Sequence, residues 1–445
     1  MLNEKLDLYL NENYYPFHMP GSKRSDMLRS DLAYKRDLTE IENFDNLNDP
    51  KTIFVEMQEK IAEIYQVKKS IISTNGSTSG ILAIIRALTR KNKNILIQRS
   101  SHKAVFNACE LNELRTSYVN IKTDKVQAIK DIDYDDLIYK LSLKDYAALV
   151  ITSPSYEGYI LDIERIYKLC KKFEVKLIVD MAHGSHLLLN GSYKNTFDLA
   201  ITSFHKNLSA LTPGAAILIN DLEFYEEIKR NMAIFQTSSP SYLILQSIDE
   251  MLDSFDSFYN LNENLNRLLD NLYSLKLNNL ILVDDANKDR SKILISTKDT
   301  NITGEGLQRL LKDEKIEIEM AYPDYALLIA TIFDKLEAFE RLASALLKID
   351  GKLSKKEKHL YFPLDEVSKK YEIYEALNYK KKKFRLEDSI GKVAADFIYA
   401  YPPGIPIIVP GELIDEKIIE NIKYFLVNNI NINIEKDFIS CIIDK

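Results

Sequence analysis

The sequence predicts an α/β protein built on a mostly parallel sheet with helices on both faces, followed by a smaller C-terminal α+β domain. From about residue 50, short β-rich apolar runs alternate with helical or loop segments, which is typical of parallel strands joined by crossover helices. Polar residues directly follow several of these runs, and open α/β sheets bind ligands at such strand ends. The 445-residue length also favours more than one domain.

The predicted elements follow this order along the chain. Residues 1–35 are polar and aromatic and are expected to form an arm or short helices. A helix over 53–65 leads to a strand at 71–74, and a second helix covers 77–88. The other strand candidates of this part are equally short and β-rich: 95–97, 148–151, 177–179, 199–201 and 215–219.

The C-terminal part has a different pattern. A helical stretch is predicted from 257 to about 279, and a second unit has strands at 293–295 and 326–330 with helices at 304–312 and 335–347. Residues 350–383 are rich in lysine and are expected to form a solvated surface, before order returns at 387–398. We therefore predict an arm at 1–35, a large cofactor domain at 36–285 and a small domain at 286–445.

Charge and cysteine usage exclude several classes of protein. The net charge of −7 gives no electrostatic support for nucleic-acid binding. The N-terminal residues lack the apolar stretch of a signal peptide, and no window has the length of a membrane span, so a cytoplasmic protein is expected. Cys109, Cys170 and Cys441 are isolated and predict neither disulfides nor a thiolate metal site.

A hydroxyl-rich turn follows the first predicted strand. It reads Asn75-Gly76-Ser77-Thr78 and opens a helix, where free backbone N–H groups and hydroxyls suit a phosphate monoester. A simple helix cap would also account for Ser and Thr at this place.

Asp180 ends an apolar strand, where a carboxylate is costly without a cationic or hydrogen-bonding partner. A pyridinium nitrogen would be such a partner, and the carboxylate would keep that nitrogen protonated. The alternatives are a metal site formed with His183 and His186, or a strand-end cap. The small Ala182 favours a flat ring, and we expect no metal.

Lys206 lies 26 residues beyond Asp180, just after another strand, in Ser203-Phe204-His205-Lys206. A lysine at the site can form an imine with an aldehyde and exchange it for an incoming amine. Ser203 is placed to donate to a phosphate. An exposed lysine would be the ordinary interpretation, but a hydroxyl-rich turn, a strand-end Asp and a strand-end Lys in this order point together to pyridoxal phosphate.

These motifs, in order over most of the chain, resemble the Orn/Lys/Arg decarboxylase family. The family consists of fold-type-I pyridoxal-phosphate enzymes with the aspartate-aminotransferase-like fold, and the short form is the nearest in pattern. The chain is too short for the receiver-like N-terminal domain of the long inducible relatives and resembles the compact biosynthetic type, often an arginine decarboxylase. The matching segments are 17–23, 37–40, 75–78, 101–103, 152–158, 180–184, 203–206, 237–242, 401–406 and 410–412.

The resemblance implies roles for particular residues. Lys206 would hold the cofactor, Asp180 would pair with the ring nitrogen, and His102 would stack on the ring. A further group would contact the cofactor, mostly at its phosphate: Ser77, Thr78, Ala182, His183, Ser203 and His205. Thr237 or Ser238 would reach the phosphate of a partner subunit, which implies a homodimer with active sites at the subunit interface, and higher oligomers are compatible with it.

The expected reaction is decarboxylation of a basic L-amino acid, arginine first and then lysine or ornithine, to an amine of the polyamine pathway. His205 or a tyrosine would supply the proton. The alternatives are another fold-type-I enzyme, such as an aminotransferase or an acyltransferase, and a non-catalytic homologue. The candidates for binding the distal group of the substrate are acidic: Asp37, Glu40, Glu157 and Glu412.

Two positions depart from the family pattern. Ser22 stands where the family usually has His, and Met181 stands where an acidic residue is common. The change at Ser22 affects the expected substrate preference and pH response more than the cofactor chemistry.

Overall fold

The structure is a computed structural model that describes residues 1–356, 368–400, 404–428, 430–435 and 437–443. Part of the lysine-rich stretch, including His359, lies outside the described residues. The same holds for residues 401–403 of the segment that resembles the decarboxylase family.

Strands and helices alternate along the first half of the chain, as the sequence predicts. The strands are β1 Lys69–Ser73, β2 Asn94–Gln98, β3 Arg115–Val119, β4 Ile121–Thr123, β5 Ile129–Ile132, β6 Ala148–Thr152, β7 Lys176–Met181, β8 Leu199–Ser203, β9 Ala215–Ile219, β10 Ile281–Leu282, β11 Lys292–Ser296, β12 Met320–Tyr322, β13 Tyr325–Ile329, β14 Lys381–Arg385, β15 Ile398–Ala400, β16 Ile405–Ile408 and β17 Phe438–Ile442. The helices are α1 Leu2–Asn11, α2 Ile53–Ile64, α3 Gly76–Leu88, α4 Lys103–Leu111, α5 Tyr134–Leu143, α6 Ile163–Lys172, α7 Phe204–Asn207, α8 Tyr225–Phe235, α9 Tyr242–Asp253, α10 Phe258–Tyr273, α11 Gly304–Asp313, α12 Leu336–Asp350, α13 Ile373–Leu377 and α14 Glu416–Val427.

The chain divides into two compact units whose segments interleave. The first unit contains Met1–Arg90, Ile163–Lys168 and Lys176–Asn262, and the second contains the intervening segments and the C-terminal part. The predicted domain limits at 36–285 and 286–445 follow the linear order of the chain and stay a prediction.

The first unit holds four neighbouring strands of the central sheet in the order β1-β9-β8-β7. Strands β7 and β8 are parallel, and Asp180 pairs in register with Ile201. Strand β9 is antiparallel to both β1 and β8. Because β7 and β8 are parallel, their carboxyl ends lie at the same edge, and this edge carries the polar residues that the sequence singles out.

Helix α3 packs tightly on this part of the sheet because it contains a glycine at the contact. A Cβ atom at Gly80 would lie 2.4 Å from Cδ1 of Ile201 on β8, so a larger residue here would force the Ile201 side chain to shift. The contact fixes the height of the N-terminal turn of α3 above the strand ends.

The second unit contains a parallel group of strands and several antiparallel sheets. Strands β6, β2 and β3 are neighbours and run parallel. The C-terminal part adds a four-stranded antiparallel sheet, β10-β11-β13-β12, and the pairs β14-β17 and β15-β16. The predicted α/β class, with a mostly parallel central sheet and a smaller C-terminal α+β part, is confirmed.

Some predicted boundaries differ from the structure. Helix α10 ends at Tyr273, before the predicted end near 279. The described residues of the lysine-rich stretch include helix α13 and the beginning of strand β14, and most residues of β14 are exposed. No helix of the described residues has the length and apolar character needed to cross a membrane.

Candidate active site

The turn between β1 and α3 presents an open helix N-terminus. Gly76 has a φ of +73°, which favours glycine, and the side chain of Asn75 makes no capping bond to the first turn. Ser73 lies inside the turn, with its Oγ 2.8 Å from Oγ of Ser79 and 2.9 Å from the carbonyl oxygen of Gly76. Ser77 is half-buried and Thr78 is exposed, so both predicted phosphate ligands lie on the accessible side of this turn.

Thr74 belongs to the same turn and was not assigned a role from the sequence. Its backbone N–H donates to Oε1 of Gln236 at 2.9 Å. Its hydroxyl is buried and has no hydrogen-bond partner in the described part of the chain. The only sequence signal for it is its place directly before Asn75-Gly76.

Asp180 lies at the end of β7 and is 3% exposed. Its Oδ1 accepts a hydrogen bond from the backbone N–H of Ala182 at 3.1 Å. Burial raises the pKa of the Asp180 carboxyl, and the positive charge of Lys206 and the Ala182 bond offset this only in part. The carboxylate therefore lacks a full cationic partner, which is the condition that a bound pyridinium would meet.

Lys206 lies on the short helix α7, directly after β8. Its Nζ atom is 3.0 Å from Nε2 of His183, which follows β7. The structure therefore brings together two residues that the sequence placed after different strands, and the Lys206 charge also acts on Asp180.

Ser203 ends β8 and is fully buried. Its Oγ has no hydrogen-bond partner within the described residues. Buried hydroxyls are nearly always paired, so this one is available for a ligand oxygen.

His205 carries its hydrogen on Nδ1, because Nδ1 lies 3.0 Å from the Gly214 carbonyl oxygen, which can only accept. Burial lowers the pKa of His205, and the charge of Lys206 lowers it further, against the Gly214 bond. Without a bound ligand its Nε2 is therefore an acceptor at neutral pH, and its predicted role as proton donor stays a prediction. A phosphate group beside it would favour the charged ring.

Thr237 and Ser238 are exposed on the segment after α8. The carbonyl oxygen of Thr237 accepts a hydrogen bond from Nδ2 of Asn48 at 3.0 Å, which anchors the segment within the first unit. Their predicted contact with a partner subunit stays a prediction.

His102 belongs to the second unit, where it caps helix α4. Its Nδ1 accepts from the backbone N–H of Ala104 at 3.2 Å, so in the neutral ring Nε2 carries the hydrogen. The predicted stacking of His102 on a cofactor ring stays a prediction.

The four acidic candidates for the distal group of the substrate differ in availability. Glu412 is fully buried and forms an ion pair with Arg99, with 3.0 Å between Oε2 and Nη2, so it serves the structure of the second unit. Glu157 is buried in the same unit and accepts from the Tyr325 hydroxyl at 2.9 Å. Asp37 and Glu40 are half-buried in the first unit, and burial raises the pKa of Asp37.

The structure explains one of the two departures from the family pattern, Met181, but not the other, Ser22. Met181 is fully buried at the end of β7, and a buried site suits an apolar side chain. The Ser22 hydroxyl is buried and has no hydrogen-bond partner among the described residues, and nothing in the structure explains the loss of a histidine here.

Asn207 is a residue that the sequence analysis missed. It follows Lys206 on α7 and is buried, and neither its Nδ2 nor its Oδ1 has a partner in the described part of the chain. Its adjacency to Lys206 was the only signal for it.

These features fit pyridoxal phosphate. The open N-terminus of α3 and the unpaired Ser203 hydroxyl suit a phosphate, buried Asp180 suits a pyridinium nitrogen, and Lys206 supplies the amine. The described residues contain no group of three or more His, Cys, Asp or Glu side chains placed to hold a metal ion.

Comparison with known proteins assigns the family. The model of the Orn/Lys/Arg decarboxylase major domain matches residues 2–277, and that of the C-terminal domain of the same family matches residues 355–433. The chain belongs to the Orn/Lys/Arg decarboxylase family. This membership confirms the resemblance seen in the sequence and makes pyridoxal phosphate the cofactor of the site.

Relatives within the decarboxylase family extend over nearly the whole chain. An arginine decarboxylase of Halalkalibacterium halodurans is 26% identical and covers 95% of this chain and 91% of its own length. An arginine decarboxylase of Bacillus subtilis is also 26% identical, with 93% and 90% covered. The solved lysine decarboxylase of Francisella novicida has a TM-score of 0.83 at 17% identity, covering 99% of this chain and 81% of its own, and shares the fold.

Proposed function

We propose that this protein is a pyridoxal-phosphate-dependent decarboxylase of a basic L-amino acid, with arginine first and lysine or ornithine next. Family membership and the fit of the site to the cofactor support the reaction type. Arginine is placed first because relatives that cover more than nine-tenths of the chain are named arginine decarboxylases.

The observation that carries the proposal is the grouping of Lys206 and Asp180 in the first unit. The two side chains interact electrostatically, and Asp180 remains short of a full cationic partner. A decarboxylase needs both an amine that attaches the cofactor and a carboxylate that keeps the ring nitrogen protonated.

Pyridoxal phosphate, when bound, supplies an electron sink for the negative charge left on the substrate α-carbon when CO2 departs. Asp180 would hold the proton at the ring nitrogen, and Lys206 would hold the aldehyde carbon. The Ser203 hydroxyl and the first-turn N–H groups of α3 would hold the phosphate. Nε2 of His183 lies 3.0 Å from Nζ of Lys206 and would orient that amine.

The test is to incubate the purified protein with arginine, lysine and ornithine in turn and to identify both CO2 and the amine. Amine and CO2 from one of the three, lost in Lys206→Ala, would support the proposal. Release of a keto acid would favour an aminotransferase, and condensation with an acyl thioester would favour an acyltransferase. Failure to bind the cofactor would favour a non-catalytic homologue.

We also propose that the protein acts as a homodimer with shared active sites. The exposed segment with Thr237 and Ser238 supports this, since exposed hydroxyls are free to meet a second copy. The test mixes two inactive proteins, Lys206→Ala and a Thr237→Ala/Ser238→Ala double variant. Random exchange of subunits makes half of the dimers mixed, and each mixed dimer has one intact site out of two. Recovery of about a quarter of the wild-type activity is therefore expected.

A large cofactor domain at 36–285 and a cytoplasmic location remain part of the proposal. Family-model limits at 277 and 355 support a domain change in this region. Limited proteolysis followed by mass determination would test the domain limits.

The cytoplasmic location is supported by the cysteines. Three free, buried cysteines are compatible with a reducing compartment.

A further inference from the structure

A cavity is lined wholly by residues of the second unit. It has a volume of about 80 Å³ and mostly apolar walls. A space of this size holds roughly five to eight water molecules, or one small ligand with a similar number of non-hydrogen atoms. Among the described residues that line it, three are charged: Arg99, Glu157 and Asp324.

Arg99 presents an unpaired donor. It is 4% exposed, and its Nη1 and Nη2 atoms donate to the carbonyl oxygens of Pro406 and Ile407 at 2.7 and 3.1 Å. Nη2 also pairs with Glu412. The remaining donor, Nε, is buried and has no partner among the residues that the structure describes.

Glu157 presents an unpaired acceptor. It is 3% exposed, and its Oε1 accepts from the Tyr325 hydroxyl at 2.9 Å. Its Oε2 is buried and has no hydrogen-bond partner in the described part of the chain. Burial raises the pKa of Glu157, so the carboxylate would gain from a cation placed beside it.

The unpaired Nε of Arg99 belongs to a positively charged group and the unpaired Oε2 of Glu157 to a carboxylate. Other hydrogen bonds hold both side chains in place. Arg99 is fixed by its bonds to Pro406, Ile407 and Glu412, and Glu157 by its bond to Tyr325. An unsatisfied buried polar group costs about 1–3 kcal/mol, and the two residues that carry these atoms line the same cavity. A ligand with one cationic donor and one anionic acceptor would satisfy both.

We propose that this cavity binds a small zwitterionic amino acid, whose ammonium group pairs with Glu157 and whose carboxylate pairs with Arg99. The volume excludes long side chains, so the ligand is of the size of glycine or alanine. Asp324 and Tyr424 also line the cavity. Burial raises the pKa of Tyr424 to about 12, with further contributions from the charges of Asp324 and Glu305, so this phenol adds no charge to the cavity at neutral pH. This proposal is independent of the decarboxylase reaction.

Sarcosine is the probe of choice, because its secondary amine does not form a neutral imine with an aldehyde and so leaves the cofactor untouched. It is titrated into the full-length holoprotein by calorimetry, with the cofactor absorbance recorded throughout. Saturable binding with a dissociation constant on the order of 1–10 mM is expected for so small a ligand. Acetate and dimethylammonium, which carry one charge each, should bind at least about tenfold more weakly.

Two variants test the location. Glu157→Gln keeps the shape and the Tyr325 bond but removes the charge, and at least about tenfold weaker binding of sarcosine is expected. Glu317→Gln, on an exposed residue outside the cavity, is the matched control and should bind as the wild type does. Ile121→Phe fills the cavity while keeping both charges, so it should abolish binding. This variant provides the test if Glu157→Gln fails to fold.

Several results would overturn the proposal. These are the absence of saturable binding to the wild type, equal affinity for sarcosine and acetate, and unchanged binding in Glu157→Gln or Ile121→Phe. A change in cofactor absorbance that persists in Ile121→Phe would place the ligand at the cofactor and would also overturn the proposal.

Discussion

The Nζ atom of Lys206 lies 3.0 Å from Nε2 of His183. A protonated lysine can only donate in this contact, so Nε2 is the acceptor and the other ring nitrogen carries the hydrogen. The amine proposed to attach the cofactor is thus held by a residue 23 positions earlier in the chain.

Loss of this contact should slow cofactor attachment. In His183→Phe the Lys206 amine loses its partner, and misplacement of a reacting group by about 1 Å costs up to roughly 100-fold in rate. We expect a 10- to 100-fold slower rise of the absorbance of the attached cofactor, roughly, when apoprotein is mixed with pyridoxal phosphate. His183→Gln retains an acceptor and should recover most of the rate, and an equal rate in all three proteins would exclude the role.

Asp180 should destabilise the cofactor-free protein at neutral pH. Burial raises the pKa of its carboxyl in the folded state, so the folded protein binds this proton more tightly than the unfolded chain does. Stability contributed by this group therefore falls as the pH rises from the ordinary carboxyl range towards neutrality.

Asp180→Asn removes that cost. At pH 7 the variant apoprotein should melt roughly 1–3 °C higher than the wild type, and the difference should shrink near pH 4. Differential scanning calorimetry at both pH values measures it, with the exposed Asp145→Asn as control. A shift of the same size at both pH values would show that the carboxyl charge is not its cause.

Truncation of Ser203 and of Ser73 to alanine should affect the stability of the apoprotein differently. The Ser203 hydroxyl is buried without a partner in the described residues, whereas the Ser73 hydroxyl contacts Ser79 and Gly76. Ser203→Ala should leave the apoprotein as stable as the wild type or up to about 1 kcal/mol more stable, and Ser73→Ala should cost about 1–2 kcal/mol.

Cofactor affinity should separate the two serine variants further. Ser203→Ala removes a proposed hydrogen bond to a charged phosphate, which contributes about 1.5–3 kcal/mol, so at least about tenfold weaker binding is expected. Urea titration of the apoprotein and cofactor titration measure the two quantities. Unchanged affinity in Ser203→Ala would remove it from the phosphate site.

The protein should lose much more stability when one partner of the buried Arg99–Glu412 ion pair is removed than when both are replaced. Glu412→Ala leaves a buried guanidinium unpaired and should cost about 3–5 kcal/mol in the free energy of unfolding. The double variant Arg99→Met/Glu412→Leu should cost much less. Urea denaturation of the wild type and the two variants measures these losses, and a double variant that loses at least as much stability as Glu412→Ala would show that the pair is not coupled.

The strand ends that carry the site were predictable because buried parallel strands are short apolar runs with polar residues at their carboxyl ends. Asp180, Ser203 and Lys206 could be found in this way. Strand β14 could not be, because a two-stranded sheet with mostly exposed lysines has no apolar alternation to reveal it.

The positions of individual side chains depend on distances that a sequence does not contain. Glu412 resembled a substrate ligand until its contact with Arg99 showed a structural role. Asn207 and Thr74, by contrast, were not singled out in the sequence. They become candidates for the site only because their side-chain polar atoms are buried without partners among the described residues.

The three cysteines make the chain a convenient background for thiol labelling. All are free and buried, and burial raises the pKa of Cys109 and that of Cys441, the latter to about 11. Maleimide reagents need a thiolate and access to it, so at neutral pH they should react first with a cysteine placed on the exposed segment, as in Ser238→Cys. A spin label or fluorophore there would report distances between two copies of the protein without removal of any native cysteine.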